Sequence, residues 1–275
     1  MATTSNGRST NGRGAAKRST SRKTLAIDVG GSGLKAIVLD GAGKPISDRV
    51  RVPTPYPLPP DRLVNELVDI VASLPSYDRV SVGFPGVVRD GRVLTAPNLS
   101  RESGPDSPVD KTIAALWTGF PLADALSDKL GKPVRIANDA DLQAAAVVSG
   151  KGIEIVLTLG TGLGASSYRD GRLALHLEMG HHPFRDGKTY EDLIGDVGRR
   201  KLGKKKWSKT VAEAVKTIEN LIVPDQIYIG GGNAKKLDVD LGPKVSIIDN
   251  TAGLLGGIKL WRRGGLEGAP TSRAT

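Results

Sequence analysis

A glycine-rich turn between two apolar strands occurs twice in this chain, about 130 residues apart, and this repeat limits what the chain can fold into. In the first copy, Leu25 to Ile27 reads as a short strand. Asp28-Val29-Gly30-Gly31-Ser32-Gly33 interrupts it, Leu34 to Leu39 forms a second strand, and Asp40-Gly41 predicts a hairpin turn. In the second copy, Ile153 to Leu159 leads into Gly160-Thr161-Gly162-Leu163-Gly164, another strand and Asp170-Gly171. A shift of 130 residues lays Gly30 on Gly160, Asp40 on Asp170 and Gly41 on Gly171. The apolar residues Leu25, Ala26 and Ile27 then fall on Ile155, Val156 and Leu157. Such self-overlay predicts an internal duplication.

Each copy continues into alternating helices and strands. In the first half, Leu63, Val64, Leu67, Val68 and Val71 keep helical spacing from about Asp61 until Pro75. Arg79 to Phe84 is a strand closed by Pro85-Gly86. Pro121 to Leu130 is a helix with proline in its first turn and Gly131 after its end. Val134 to Ala137 is a strand, and Asp139 to Ser149 an alanine-rich helix. In the second half, Val211 to Ile222 is a helix and Ile227 to Ile229 a strand, followed by Gly230-Gly231-Gly232. A last helical stretch runs from about Thr251 to Trp261. Strand and helix alternation implies two α/β domains, with a ligand cleft expected between them. The boundaries read as a basic disordered tail over 1–23, domains over 24–136 and 137–262, and a frayed tail over 263–275.

With no cysteine, disulfides, thiolate metal sites and cysteine nucleophiles are excluded. No apolar run approaches the roughly 20 residues needed to span a bilayer, and residues 1–23 have no apolar signal core. A cytoplasmic protein without membrane attachment is expected. The net charge is +10, and residues 1–23 hold six cations and no acid, which leaves +4 for the rest. This tail reads as a solvated leader, a transit peptide or a polyanion-binding arm.

Glycine turns let backbone N–H groups converge on an anion, so the repeated pair points to phosphate. Neither turn is a P-loop, because no Gly-Lys-Ser/Thr ends it. Gly160 to Ala165 formally matches a dinucleotide fingerprint, but a strand follows where that fingerprint requires a helix. Asp139 lies where a strand gives way to a helix, a position that presents a side chain into a cleft. It suits a general base, with a plain helix-capping role as the alternative.

These segments resemble the actin, Hsp70 and sugar-kinase superfamily, and within it the ROK sugar kinases. Asp28 to Lys35 is similar to the first phosphate motif, Leu157 to Gly164 to the second, and Ile227 to Ala234 to the adenosine motif. Asn138-Asp139-Ala140-Asp141 and Glu178-Met179-Gly180-His181 resemble the ROK sugar-site segments. The resemblance covers about residues 24–262, with five motifs in family order. It implies two actin-like (ribonuclease H-like) domains around a cleft and transfer of a phosphoryl group to a sugar hydroxyl.

By resemblance Asp139 is the base, and Asn138, Glu178, His181 and Glu191 hold sugar hydroxyls, with Asn98 a further candidate. Gly30, Gly31, Ser32, Gly33, Lys35, Gly160, Thr161 and Gly162 bind phosphate. Gly230, Gly231, Gly232 and Asn233 bind nucleotide. Asp28 helps place Mg²⁺ through water. Many ROK kinases carry a cysteine-rich zinc motif after the Glu-x-Gly-His segment. Pro183 to Glu191 has none, so no zinc is expected there; His176, His181 and His182 are the alternative ligands. The 23-residue leader is too short and polar for the helix-turn-helix of ROK repressors.

Arg199, Arg200, Lys201, Lys204, Lys205, Lys206 and Lys209, with Trp207 among them, form a basic run. It reads as a solvated helix face or as a track for polyphosphate, with Lys204, Lys205 and Lys206 at its centre. This run and the cysteine-free segment resemble the polyphosphate-using branch of the family. The expected activity is phosphorylation of glucose or a related hexose at the 6-hydroxyl with polyphosphate, ATP or both. The alternatives are an ATP-only kinase for another hexose or an N-acetylated amino sugar, and a non-catalytic sugar sensor or nucleic-acid-binding protein. A homodimer is an admissible assembly.

Overall fold

The computed structural model describes residues 22–104, 107–160, 162–248 and 255–261. Most of the basic tail, Thr161 and the last fourteen residues lie outside the described residues.

The first half runs β1 (Thr24–Gly30), β2 (Gly33–Leu39), β3 (Val50–Val52), α1 (Pro60–Val71), β4 (Arg79–Phe84), β5 (Val88–Arg89), β6 (Arg92–Val93), α2 (Lys111–Trp117), α3 (Leu122–Leu130) and β7 (Val134–Asn138). The second runs α4 (Asp139–Val147), β8 (Ile153–Leu159), β9 (Leu163–Arg169), β10 (Arg172–Leu177), β11 (Pro183–Arg185), β12 (Lys188–Thr189), α5 (Tyr190–Ile194), α6 (Asp196–Ile222), β13 (Gln226–Gly230) and β14 (Val245–Ile247). A 3₁₀ segment, Leu255–Trp261, follows.

Two five-stranded sheets carry these elements, in the orders β3-β2-β1-β4-β7 and β10-β9-β8-β13-β14. The orders correspond strand for strand. In each sheet the first hairpin is antiparallel, and two later strands add in parallel beside its first strand. Those parallel strands lay the ends of β1, β4 and β7 side by side, with Asp28 opposite Gly83 and Gly83 opposite Ala137.

Alternation along β1 assigns its two faces. Leu25, Ile27 and Val29 enter a core with Leu63, Leu67, Trp117 and Leu126 from the helices. Ala26 points the other way and packs with Ile37, Leu39 and Ile258. Both faces are covered, which is why β1 and β2 read as near-continuous apolar runs. In the second half, Ile155, Leu157 and Leu159 face Trp207, Val211 and Ile218 of α6. Val156 faces α4 and Leu260. Residues 255–261 therefore cross back onto the first sheet. There Ser81 Oγ donates to Gly257 O at 2.7 Å and accepts from Trp261 Nε1 at 2.8 Å.

Three local expectations change. The helix expected from Val211 starts at Asp196, so the whole basic run is helical. Lysine and arginine are good helix formers, and Trp207 and Val211 on the buried side anchor the helix. Gly203 breaks it, with φ 72° and ψ 162°, separating a short first arm from the long second one. Asp170 (φ 51°) and Gly171 (φ 77°) make the tight turn into β10. Asp40 instead closes a wider loop, its Oδ1 accepting from Ala42 N and Lys44 N, both at 2.9 Å. The described part of the last helix is 3₁₀ rather than α.

Candidate active site

The first glycine turn joins β1 to β2 with Gly30 opposite Gly33. Its carbonyls are taken from behind: Thr54 Oγ1 donates to Gly30 O, and the Tyr56 hydroxyl lies 2.8 Å from both Gly31 O and Asn98 O. Two carbonyls of the turn thus face the protein. Asp28 and Lys35 are opposite each other across the hairpin, and Lys35 Nζ donates to Asp28 Oδ2 at 2.7 Å. Arg51 lies opposite Lys35 on β3, and its Nε would be only 3.0 Å from a Cβ placed on Gly33. An Asp28-Lys35-Arg51 row therefore crosses three strands beside the turn. Arg51 was not found from sequence, because a three-residue edge strand leaves too short a pattern. Asn98 sits here as well, its Cβ 3.9 Å from the position a Cβ on Gly31 would take.

Asp139 is the first residue of α4, directly after β7. The capping role belongs to its neighbour: Asn138 Oδ1 accepts from Ala140 N at 2.8 Å and Asp141 N at 3.4 Å, while Nδ2 donates to Gly86 O at 3.0 Å. Asn138 is thereby fixed, with its carbonyl oxygen committed to the helix. The Asp139 carboxylate accepts from Ala140 N at 2.7 Å. Burial, helped by the charges of Asp28 and Asp141, pushes its carboxyl up to about 6. The sheet thus brings Asp28 and Asp139, 111 positions apart in sequence, close enough to repel. Asp141 is buried and accepts from Ser166 Oγ at 2.6 Å, while its main-chain oxygen accepts from the Tyr168 hydroxyl at 2.6 Å. These bonds fasten the start of α4 to β9.

The second glycine turn works by close approach. A Cβ on Gly164 would stand 3.0 Å from Ala140 Cβ, so this turn packs directly beside the start of α4. A Cβ on Gly162 would stand 2.3 Å from Glu191 Oε2, and one on Gly180 would stand 3.2 Å from the same oxygen. Glu191 thus reaches between the second turn and the Glu178–His181 segment. A capping box sets its helix: Thr189 Oγ1 accepts from Asp192 N at 3.2 Å, and Asp192 accepts from Thr189 N at 3.0 Å. Phe184 stacks on Tyr190 at 4.3 Å, and Arg185 pairs with Glu213 of α6. Glu178 is the N-cap residue of a 3₁₀ turn that His181 ends, with His181 Nε2 3.9 Å from Glu178 Oε2. Both side chains are exposed.

Behind the triple glycine, Asn233 Nδ2 donates to Gly160 O at 2.9 Å and lies 3.3 Å from Asp196 Oδ1. Asp196 in turn holds Arg199 at 2.7 Å and Arg200 at 2.8 Å, and hydrogen bonds from Arg199 keep its carboxyl below the usual range. The basic run therefore begins two side chains away from the second turn. Beyond Gly203, Lys204 pairs with Asp238 at 3.3 Å, while Lys205, Lys206 and Lys209 are exposed and have no anionic partner among the described residues. Trp207 is fully buried and donates to Ile194 O at 2.9 Å, so it belongs to the core rather than to a track.

Paired mixed sheets, each opened by a glycine hairpin, define an α/β protein of the actin-like ATPase kind. Residues 24–201 match the ROK family, and the chain belongs to it. It is 34% identical over 254 residues to polyphosphate glucokinase of Mycobacterium tuberculosis H37Rv, covering 86% of this chain and 90% of that one. An inorganic polyphosphate/ATP-glucomannokinase from Arthrobacter sp. strain KM has a similar structure, with TM-score 0.70 and 30% identity over 86% of this chain and 97% of that one. A ROK glucokinase from Streptomyces griseus shares the fold at TM-score 0.66 and 20% identity, over 86% of this chain and 98% of that one.

Proposed function

We propose that this chain is a phosphotransferase that phosphorylates the 6-hydroxyl of glucose or a related hexose, with inorganic polyphosphate, ATP or both as donor. The observation that carries this reading is Asp139. It is a carboxylate at a strand–helix junction, raised to about 6, beside Asp28 and next to the second glycine turn. The similarity to polyphosphate glucokinase over 86% of the chain supports the donor and the acceptor.

Asp139 takes the proton from the sugar hydroxyl as that oxygen forms its bond to phosphorus. The bond from phosphorus to the bridging oxygen breaks, and that oxygen keeps the electron pair on the shortened donor. A base with pKa near 6 is ionised at neutral pH yet retains proton affinity, which suits this task. Backbone N–H groups of the two glycine turns, with Lys35 and Arg51, hold donor phosphates. Glu178, His181, Glu191 and Asn138 orient the sugar, with Asn98 adjoining from the first half. The triple glycine and Asn233 serve ATP.

No group of three or more ligating His, Asp or Glu side chains occurs among the described residues. The donor set fits Mg²⁺, which is held largely by phosphate oxygens and water and needs only one or two carboxylates. Asp28 is the residue that would hold it through water, and the ion would neutralise charge on the transferring group.

The matching strand orders support an origin by duplication, domains over 24–136 and 137–262, and a cleft between the two glycine turns. A cytoplasmic enzyme, monomeric or homodimeric, completes the proposal; no helix among the described residues is long and apolar enough to cross a membrane.

A coupled glucose 6-phosphate assay, with ATP and polyphosphate supplied separately, tests the reading. Turnover with at least one donor is expected. No turnover with either donor, glucose and Mg²⁺ being present, would leave the sensor reading in its place.

A further inference from the structure

At the opposite ends of β1, β4 and β7 from Asp28 and Asp139, three arginines gather, none of them in an ion pair with a carboxylate among the described residues, with Asp78 the acid near Arg79. Arg79 opens β4 opposite Thr24, and Arg135 lies opposite Ser81 on β7. The two guanidinium carbons lie 5.2 and 4.5 Å from the Trp261 ring centroid. Arg79 Nε donates to Thr24 Oγ1 at 2.8 Å, and Arg135 Nη1 donates to Leu260 O. Among the described residues neither arginine forms an ion pair, and the buried Arg135 Nε has no hydrogen-bond partner. Arg22 lies two residues before β1 and is exposed. Burial, then the charges of Arg22 and Arg135, pull Arg79 below its usual value. The nearby acid, Asp78, spends a carboxylate oxygen on Lys23 N at 2.7 Å.

Like charges held together at a half-buried edge are costly unless an anion joins them. The π face of Trp261 offsets part of that cost. Free guanidinium N–H groups from two strands suit a phosphate oxygen cluster, which they bind in a fork geometry. The Trp261 ring is already engaged by two guanidinium groups, so it does not offer the open stacking platform that single-stranded nucleic acid uses.

We propose that Arg22, Arg79 and Arg135, gathered at Trp261, form a second phosphate-binding site that holds a distant stretch of an inorganic polyphosphate chain. Naming polyphosphate as the ligand rests on the donor reading above. β4 alone spans roughly 17 Å at about 3.3 Å per residue, so ATP at the reaction centre cannot reach this site. A long chain can occupy both and gains avidity from doing so.

Trp261 supplies the readout, because Trp117 and Trp207 are fully buried. Wild-type protein is titrated with long-chain polyphosphate, tripolyphosphate and a single-stranded RNA, without sugar, while tryptophan emission and equilibrium binding are recorded. Long-chain polyphosphate is expected to change the emission in wild type and not in Trp261→Phe. In the double variant Arg22→Gln/Arg79→Gln, long-chain binding should weaken several-fold with a shallower salt dependence, while ATP kinetics stay unchanged. Should the Arg79 change prevent folding, Arg22→Gln alone must still weaken the emission response. Unchanged emission, unchanged affinity in the variants, or a response to RNA but not to polyphosphate would overturn the site. An emission change in a protein that does not use polyphosphate as donor would keep the site and remove the donor reading.

Discussion

The two glycine hairpins occupy the same place in their sheets and present opposite chemistry. In the first, Asp28 faces Lys35 across the strands and Arg51 extends the row, so charge stands beside the turn. In the second, Thr158 faces Gly164, and no charged pair stands there. The turns also differ in length: Gly30 pairs with Gly33, but Leu159 pairs with Leu163, which admits one more residue. The missing side chains at Gly162 and Gly164 let Glu191 and Ala140 come close. One hairpin supplies charge and the other supplies room. Asp139 sits where they meet, on the helix that begins as the first sheet ends.

The largest effect should come from the residue between the halves. Asp139→Asn is expected to lower turnover by about 10²–10⁴, since the amide cannot take a proton. Folding should respond in the opposite direction. The folded carboxyl is raised, so wild type loses stability as pH rises from about 3.8 through about 6. Well above pH 6 the asparagine variant should therefore be more stable, by about 1 kcal/mol once the weakening of the Ala140 hydrogen bond to a neutral acceptor is discounted. Thermal melts at two pH values read this directly, and near-normal turnover in the variant would remove Asp139 from the mechanism.

Asp28→Asn tests the charged hairpin. Turnover should fall by about 10² through weaker charge stabilisation. The acid limb of the pH–rate profile should also move to lower pH, because Asp28 is one of the charges holding Asp139 up. A limb that stays in place would separate Asp28 from the base.

Glycine replacements contrast the two hairpins next. Gly31→Ala places its Cβ 3.4 Å from the Tyr56 hydroxyl, an ordinary contact, and should be mild. Gly162→Ala drives into the Glu191 carboxylate at 2.3 Å, and Glu191 must swing away. The apparent KM for sugar should rise several-fold more in Gly162→Ala than in Gly31→Ala, because Glu191 is displaced only in the former. Equal effects from the two variants would deny that the second turn works by close approach.

The smallest effect concerns the basic run. Neutralising Lys204, Lys205 and Lys206 together should weaken polyphosphate use several-fold at low salt and leave ATP use nearly unchanged, a difference that shrinks as salt screens exposed charge. If low-salt polyphosphate kinetics are unaltered, these lysines are a solvated face.

The hairpins were legible in sequence because glycine spacing and strand alternation are local signals. Asp139 was legible for the same reason, at the point where period two gives way to a helix. The start of α6 was not, since a charge run carries no apolar period until Trp207 and Val211. Nor could spacing reveal Glu191 against Gly162, or Arg51 against Gly33, because tertiary packing sets both. Asp40 and Asp170 match by sequence, yet only Asp170 adopts the left-handed backbone of a tight turn. Identical residues at matched positions do not secure identical turns when the following strand differs.

The crossing of residues 255–261 onto the first sheet has a consequence for how the chain is made. Ala26, Ile37 and Leu39 share their core with Ile258, which the ribosome adds more than 200 residues later. The first half can pair its strands and seat α1 and α3 as it emerges, and α4 then covers Gly83, but the part of this sheet face around Ala26 and Ser81 stays uncovered until synthesis is nearly finished. An apolar face exposed for that long is a site for misassembly. Ile258 thus acts as a late latch, and a nascent chain stopped short of it would carry a paired first sheet with the apolar patch of Ala26, Ile37 and Leu39 still open to solvent.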